Sequence, residues 1–357
     1  MKIAQIAPLT EAVPPRLYGG SERVVAYLTD ALVELGHRVT LFASGDSHTK
    51  GTLEPIWPQA LRLDPRIVDP FAPLFMMMER VIGRADEFDI LHWHIDYFGY
   101  PLIRLLRIPS VTTLHGRLDL PEQPSLYRAF NDVPVVSISD SQREPLPGPN
   151  YVATIHHGLP IGLLHEGDGT GGYLAFLGRI SPEKAPDAAI RIAAMAGMKL
   201  KIAAKVDRVD EAYFNERIKP MLSLPHVEYV GEIGEPEKSA FLGSAAGLLC
   251  PVMWREPFGL VMIEAMACGT PVVAFRNGSI PEVIEHGVTG FVVDSEPAAA
   301  DAVPAMLALD RSRIRAEFER RYSARRMAED YLAVYRRLIR HKEMARRGAG
   351  LVAVGAG

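Results

Sequence analysis

Two glutamates frame the most informative stretch of the sequence, Arg255-Glu256-Pro257-Phe258-Gly259-Leu260-Val261-Met262-Ile263-Glu264-Ala265-Met266-Ala267-Cys268-Gly269-Thr270-Pro271-Val272-Val273. The apolar run Leu248–Pro251 reads as a strand, the loop behind it carries Glu256, and Leu260–Cys268 reads as a helix. A helix N-terminus presents unpaired N–H groups and partial positive charge, which suits a phosphate or a sugar hydroxyl. Glycine at position 259 lets a ligand come close to the backbone. Glu256, in front of the helix, and Glu264, just over one turn into it, are placed to accept hydrogen bonds from polyol groups at two ends of one ligand. A plainer alternative has Glu256 capping the helix and Glu264 paired with a nearby arginine, and the spacing alone does not separate the two.

A second group is cationic. In Gly178-Arg179-Ile180-Ser181-Pro182-Glu183-Lys184, Arg179 and Lys184 leave the end of a strand together, and two cations so placed neutralise a diphosphate. By itself the same loop reads equally as ordinary surface charge. Gly19-Gly20 precedes a helix and permits close approach of a phosphate to that helix start, or forms a plain tight turn. Tyr18 beside it faces a second substrate or simply packs. His115-Gly116 ends a strand, where cleft loops begin. His92 and His94 flank Trp93 at another strand end. One of them, His94 for preference, is a candidate for the acceptor side, and no carboxylate at helical spacing completes a metal site with them.

These residues need parallel strands to carry them. Lys2–Ala7 and Val39–Ala43 read as strands around a helix whose apolar positions are Val24, Val25, Leu28, Ala31, Leu32 and Leu35, closed by Gly36. The same βαβ grammar restarts with Tyr173–Leu177, a helix over Asp187–Ala196 and Leu200–Ala204. Further strands are predicted at Ile90–Trp93, Ser110–Leu114, Val135–Ser139, Val227–Tyr229, Leu248–Pro251, Val272–Ala274 and Phe291–Val293, with a helix over Ser239–Ala246. Asp330–Lys342 reads as a long amphipathic helix, and the closing Gly/Ala/Val residues as frayed. Glu166-Gly167-Asp168-Gly169-Thr170-Gly171-Gly172 is the most flexible-looking stretch and marks the interdomain connection. The expected architecture is α/β, with two Rossmann-like domains facing across a cleft. Residues 1–165 form the first domain, joined by a C-terminal helix at about 325–345, and residues 173–324 form the second.

The chain has 357 residues, too many for one ordinary core, with 48% hydrophobic and 23% charged residues and a formal charge of −4. That balance offers nucleic acid no global attraction. Cys250 and Cys268 lie in apolar stretches without metal-ligand spacing and read as small buried hydrophobes of a reducing compartment. With no signal-like or membrane-spanning run, the expected location is cytoplasmic, with the inner face of the membrane as a variant. The basic C-terminal segment with Arg336, Arg337, Arg340 and Lys342, and Leu102–Arg107, leave peripheral membrane contact open, although a solvated helix face and a core helix are favoured. No Asp-x-Asp occurs, so a metal-bridged diphosphate is not expected. No Gly-x-Gly-x-x-Gly follows the first strand and no acidic residue ends the second, which disfavours a dinucleotide site.

The run from Glu256 to Val273, continued by Pro281-Glu282-Val283-Ile284 and Gly287-Val288-Thr289-Gly290-Phe291, resembles the C-terminal signature of family 4 retaining glycosyltransferases of GT-B fold. The resemblance covers nearly the whole chain. It implies that Glu256 bonds hydroxyls of the donor sugar, that Glu264 holds the nucleotide ribose, and that amides near Phe258, Gly259 and Leu260 face the sugar and diphosphate. By the same resemblance, Arg179 and Lys184 form the diphosphate clamp, Gly19-Gly20 admits the donor phosphate to the first domain, and His115 lies near the donor sugar. Ser137-Ile138-Ser139 is similar to a cleft-lining stretch of the family. Two positions depart from the pattern: Ala185 stands where a glycine is usual, and His156-His157-Gly158 where His-Asn-Gly is frequent. The implied partners are a nucleoside diphosphate sugar of the UDP-glucose type and an unidentified hydroxyl acceptor, with no cofactor and no metal. A nucleotide-sugar epimerase or phosphorylase, or a non-catalytic nucleotide-sugar binder, shares the architecture. An acceptor-free assay and slow donor hydrolysis separate these from transfer.

Overall fold

A computed structural model describes residues 1–17 and 19–354, the side chains of 345–354 excepted. Seven parallel strands form the first sheet: β1 (Lys2–Ile6), β2 (Arg38–Ser44), β3 (Thr52–Trp57), β4 (Ile90–Trp93), β5 (Ser110–Thr113), β6 (Pro134–Ser137) and β7 (Asn150–Thr154), in the order 3-2-1-4-5-6-7. Six more form the second: β8 (Tyr173–Ile180), β9 (Lys199–Val206), β10 (Val227–Gly231), β11 (Gly247–Cys250), β12 (Val272–Phe275) and β13 (Gly290–Val293), in the order 10-9-8-11-12-13. The central strands β4, β5, β11 and β12 are buried along their whole length. Helices cover both faces of a parallel sheet, so β11 and β12 read as short apolar runs, whereas β4 and β5 bury His92, Ser110, Thr112 and Thr113 as well. The edge strands β3 and β7 are only partly buried along their length and escaped the sequence reading.

Strand order reverses between β1 and β4 in the first sheet and between β8 and β11 in the second. A crevice opens at the carboxyl ends of the strands at such a switch point. The loops after β1, β4 and β5, and after β8 and β11, are the ones that carry Gly19-Gly20, His94, His115, Lys184 and Glu256.

The chain passes from one sheet to the other and returns. Near the junction Leu159 bridges Ser323, and a Cβ on Gly158 would lie 2.4 Å from the Ser323 carbonyl oxygen. The last helix, Ala324–Val354, longer than Asp330–Lys342, packs on the first helix, Gly20–Glu34. Tyr331, Leu332, Val334 and Tyr335 are buried there, as the apolar stripe requires. It is helical where fraying was expected, and residues 355–357 lie outside the described residues.

The stretch from 166 to 172 contradicts its flexible appearance. The amides of Gly167, Gly169 and Gly171 donate to the carbonyls of Cys268, Gly243 and Ser244 at 3.1, 3.0 and 2.9 Å, while Arg311 bonds the carbonyls of Gly167 and Gly243 at 2.9 and 3.0 Å. A Cβ on Gly167 would meet the Gly243 backbone at 2.2 Å. Glycine serves close backbone packing here, not mobility.

Cys250 and Cys268 are buried and unpaired. Among the described residues no helix is long and apolar enough to cross a membrane. Leu102 to Leu105 belongs to the short helix Tyr100–Leu105, and Arg104 bonds Asp132.

Candidate active site

Between the sheets lies a cavity of about 480 Å³, the size of a small-ligand site. Gly19, Gly20, His115, Arg179, Lys184, Glu256, Phe258, Gly259, Leu260 and Glu264 all line it. Chain positions separated by more than two hundred residues thus meet across one cleft.

The loop after β11 is shaped by glycine. Gly259 has φ +83° and caps the helix Leu260–Ala267, a left-handed conformation that costs any other residue about 1 kcal/mol or more. A Cβ there would lie 2.6 Å from Met262 Cε and 3.3 Å from Glu256 Cγ. Glu256 is buried and its Oε2 accepts from the Lys184 ammonium and, at 2.8 Å, from the Trp254 indole N–H. The second oxygen accepts no hydrogen bond from the described residues, so it is the one left for a ligand hydroxyl. Lys184 also lies 5.3 Å from the Trp254 ring centroid, a cation–π contact that holds the ammonium over the cleft. Trp254 was missed in the sequence, where nothing marks it apart from adjacency to the signature.

Glu264 is buried and accepts from Lys238 at 2.6 Å. Its partner is a lysine of the helix Glu235–Ser244 rather than an arginine, and Lys238 itself lines the cavity. Arg179 pairs with Glu183, and with Asp207 and Asp210 at 3.7 and 3.5 Å, so its charge is shared among three carboxylates. The loop between Arg179 and Lys184 ends at Ala185, which holds φ +49° and ψ +55°. The left-handed backbone that glycine would supply is therefore kept by an alanine.

From the first domain, Gly19 takes φ +150°, and a Cβ on it would touch Pro15 at 2.8 Å. A Cβ on Gly20 would stand 3.6 Å from Leu260 Cδ1, so the two helix starts face each other at close range. The first turn behind Gly20 already holds Glu22, which burial pushes above the ordinary carboxylate range. Glu11 and Arg62, a 2.9 Å pair, add wall residues that no motif announced. Tyr18 lies outside the described residues.

His115 lines the cavity, and burial holds its ring down to about 4. His157 stacks on it with centroids 5.4 Å apart and meets Phe258 edge-on at 4.9 Å. This gives the second histidine of His156-His157-Gly158 a place in the site. His94 departs from its expected position on the acceptor side. It is buried behind His115, with both ring nitrogens taken, at 2.9 Å by His115 and 2.6 Å by Gln5. His92 is buried deeper still, against Tyr335 and Thr113.

The two domains touch around this cavity through polar contacts. Ser139 Oγ donates to the Pro257 carbonyl at 2.7 Å. Glu282, from the signature, accepts the amides of Asp140 and Ser141 at 2.8 and 2.6 Å. Burial works to raise Glu282, but His156 and these amides hold it below the ordinary range. On the opposite flank Arg23 and Tyr27 both bond Glu235. Among the described residues no three His, Cys, Asp or Glu side chains gather as metal ligands.

The family model "Glycosyltransferase Family 4" matches residues 18–137, and "Glycosyl transferases group 1" matches residues 165–325. AviGT4, a glycosyltransferase involved in avilamycin A biosynthesis, is 25% identical and superposes with a TM-score of 0.73 over 95% of this chain and 98% of its own. A sucrose-phosphate synthase of Thermosynechococcus elongatus gives a TM-score of 0.78 at 20% identity over 95% and 99%. The Anabaena protein HepE in complex with UDP and glucose gives 0.72 at 19% over 94% and 99%. With two facing parallel sheets and both family models in place, the chain belongs to the GT-B glycosyltransferases of family 4 type. Among curated relatives, D-inositol 3-phosphate glycosyltransferases of Mycobacterium avium and Mycobacterium tuberculosis are 32% and 30% identical over 57% and 62% of this chain. The matched region spans about half the length of those relatives, 53% in each.

Proposed function

We propose that the protein transfers a hexose from a nucleoside diphosphate sugar to a hydroxyl acceptor, with retention of anomeric configuration and without a metal ion, in glycan or glycoconjugate synthesis. The observation that carries this reading is the cluster of Lys184, Trp254 and Glu256 at the start of the helix Leu260–Ala267, opposite Gly19-Gly20. It joins a cation for a diphosphate, helix amides and a carboxylate for sugar hydroxyls within one cavity.

In this reading Lys184, Arg179 and the amides of Phe258, Gly259 and Leu260 stabilise the diphosphate as its bond to the anomeric carbon breaks. Glu256 accepts from hydroxyls of the sugar, and Glu264 from those of the ribose. The acceptor oxygen bonds to the anomeric carbon on the face the diphosphate leaves, and the acceptor proton passes to the departing phosphate oxygen. No side-chain nucleophile is then required. His115, kept neutral by burial, serves beside the sugar as a hydrogen-bonding group and not as a cation. UDP-glucose is the first donor to try, because the Anabaena protein of this fold was crystallised with it.

The test is incubation with UDP-glucose and a panel of other nucleotide sugars in the presence of EDTA, with proton NMR of the released or transferred hexose. The α-anomer appearing first from an α-linked donor supports the reading. The β-anomer first, or turnover restored only by a divalent ion, refutes retention or metal independence respectively.

A further inference from the structure

A line of hydrogen bonds runs from the cavity wall to the last helix, outside anything the donor-site motifs describe. His115 Nε2 lies 2.9 Å from His94 Nδ1, and His94 Nε2 lies 2.6 Å from Gln5 Oε1. The Gln5 amide nitrogen is 3.2 Å from the Tyr335 hydroxyl, which is 2.6 Å from His92 Nδ1. His92 Nε2 continues to Thr113 Oγ1 at 2.7 Å, and Thr113 to the Tyr331 hydroxyl at 2.8 Å. Gln5, His92, His94, Thr113, Tyr331 and Tyr335 are all buried. Gln5 is a polar residue inside the central strand β1, where an apolar side chain would pack at lower cost.

The Gln5 amide gives the line a direction. An amide oxygen only accepts, so His94 carries its proton on Nε2 and leaves Nδ1 bare. The bare Nδ1 must accept, so neutral His115 carries its proton on Nε2 and has a lone pair on its own Nδ1. On the other side the amide N–H donates to Tyr335, whose hydroxyl donates to His92 Nδ1, and every later step follows in the same sense. His115 Nδ1 is the loose end, a buried atom without a partner in the described residues. Turning the amide over would reverse both histidines and leave a buried N–H without an acceptor there, a costlier orphan than a lone pair.

We infer that Gln5 and Tyr335 are positioning residues: the last helix of the chain, through the Gln5 amide, fixes the tautomer of His115, with its proton on Nε2 and the lone pair on Nδ1. Nδ1 is closed to water here, and a sugar hydroxyl that reaches it on binding finds an acceptor and no proton. The consequence for turnover rests on the proposed glycosyl transfer, whereas the tautomer itself does not. The line also gives the returning helix a task besides burial of its apolar stripe.

The test is nitrogen-15 NMR of histidine-labelled protein at pH 7.5, with the His115 signals assigned by their loss in His115→Gln. The expected result is a proton on Nε2 and a bare Nδ1, and a proton on Nδ1 overturns the inference without any other variant. Tyr335→Phe and Gln5→Leu are expected to give mixed tautomers and to lower kcat by about tenfold or more, the usual scale for a group that orients another. KM for the donor should stay within about threefold, because the nucleotide contacts are untouched. Tyr331→Phe deletes the same kind of buried hydroxyl beyond His92 and Thr113, and is expected to change neither readout. An equal fall in kcat for Tyr331→Phe and Tyr335→Phe would reduce both to packing. A chain that turns over no nucleotide sugar sinks the functional reading, while the tautomer in the unaltered protein still decides the relay.

Discussion

Acidification tests the histidine cluster beneath the cavity. His92, His94 and His157 are held well below the ordinary histidine value, by burial first and by repulsion from any neighbouring ring that took up a proton second, and His115 is held at about 4 by burial. In the unfolded chain each titrates near its ordinary value of about 6.5. The unfolded state therefore takes up protons that the folded state refuses, and stability present above about pH 6.5 is lost as pH falls. At pH 5.5, one unit below the unfolded value, each such histidine costs about 1.4 kcal/mol, or about 5 kcal/mol for the four. Asp96 works the other way. Burial raises it to about 6, so its protonation returns about 1 kcal/mol over the same interval. From these five groups the expected loss from pH 7.5 to pH 5.5 is about 4 kcal/mol, a large share of a typical folding free energy of about 5–15 kcal/mol, and the carboxyls of Glu11, Glu22 and Asp210, also raised by burial, offset part of it. Urea unfolding followed by circular dichroism at the two pH values measures it, as a midpoint falling by about 1 M or more for a slope of a few kcal/mol per molar. His157→Asn should flatten the dependence by about a third. A midpoint that stays constant between pH 7.5 and 5.5 would refute the claim that these rings are buried and neutral.

The other expectations are local. Ala185→Gly relieves a left-handed backbone worth about 1–2 kcal/mol and adds unfolded-state entropy worth about 0.4–1 kcal/mol, so thermal unfolding should show a neutral to slightly raised Tm. A clear fall would mean that Ala185 is not strained. Gly167→Ala places a methyl on the Gly243 backbone and should destabilise by about 1–3 kcal/mol or more, whereas a flexible tether would tolerate it unchanged in the same melt. Glu256→Ala should cut turnover strongly while titration calorimetry finds nucleotide affinity largely kept. Near-normal turnover would remove Glu256 from the sugar site.

Much of the scaffold was legible because parallel strands are buried on both faces and tend to announce themselves as apolar runs, as Val272–Phe275 did to within one residue. The edge strands β3 and β7 lack that signal, since one side of an edge faces solvent. The glycine-rich stretch 166–172 misled for a physical reason: glycine marks both mobility and tight backbone contact, and only the packing of Gly243 and Arg311 against it separates the two. At the site, the strand-end residues Glu256, Lys184 and His115 were readable because short-range grammar places them at carboxyl ends. Partners supplied by other elements were not. Lys238 reaches Glu264 from a separate helix, and Gln5 meets Tyr335 across 330 residues. The displacement of His94 has the same origin, since a strand-end position does not reveal that a neighbouring histidine stands in front. Ala185 shows the opposite case, a departure in sequence that leaves the backbone shape of the loop intact at the cost of strain.

The central claim is that one cleft between the two domains holds a nucleoside diphosphate sugar through Lys184, Glu256 and Glu264. Titration calorimetry of UDP, GDP and ADP in EDTA, on the unaltered chain and on Lys184→Ala and Glu264→Gln, tests it most directly. The account predicts that one diphosphate binds and that each substitution weakens it by about tenfold or more, the scale of a lost charge-assisted hydrogen bond of about 1.5–3 kcal/mol. Binding of no nucleotide, or binding that both variants leave unchanged, would contradict it.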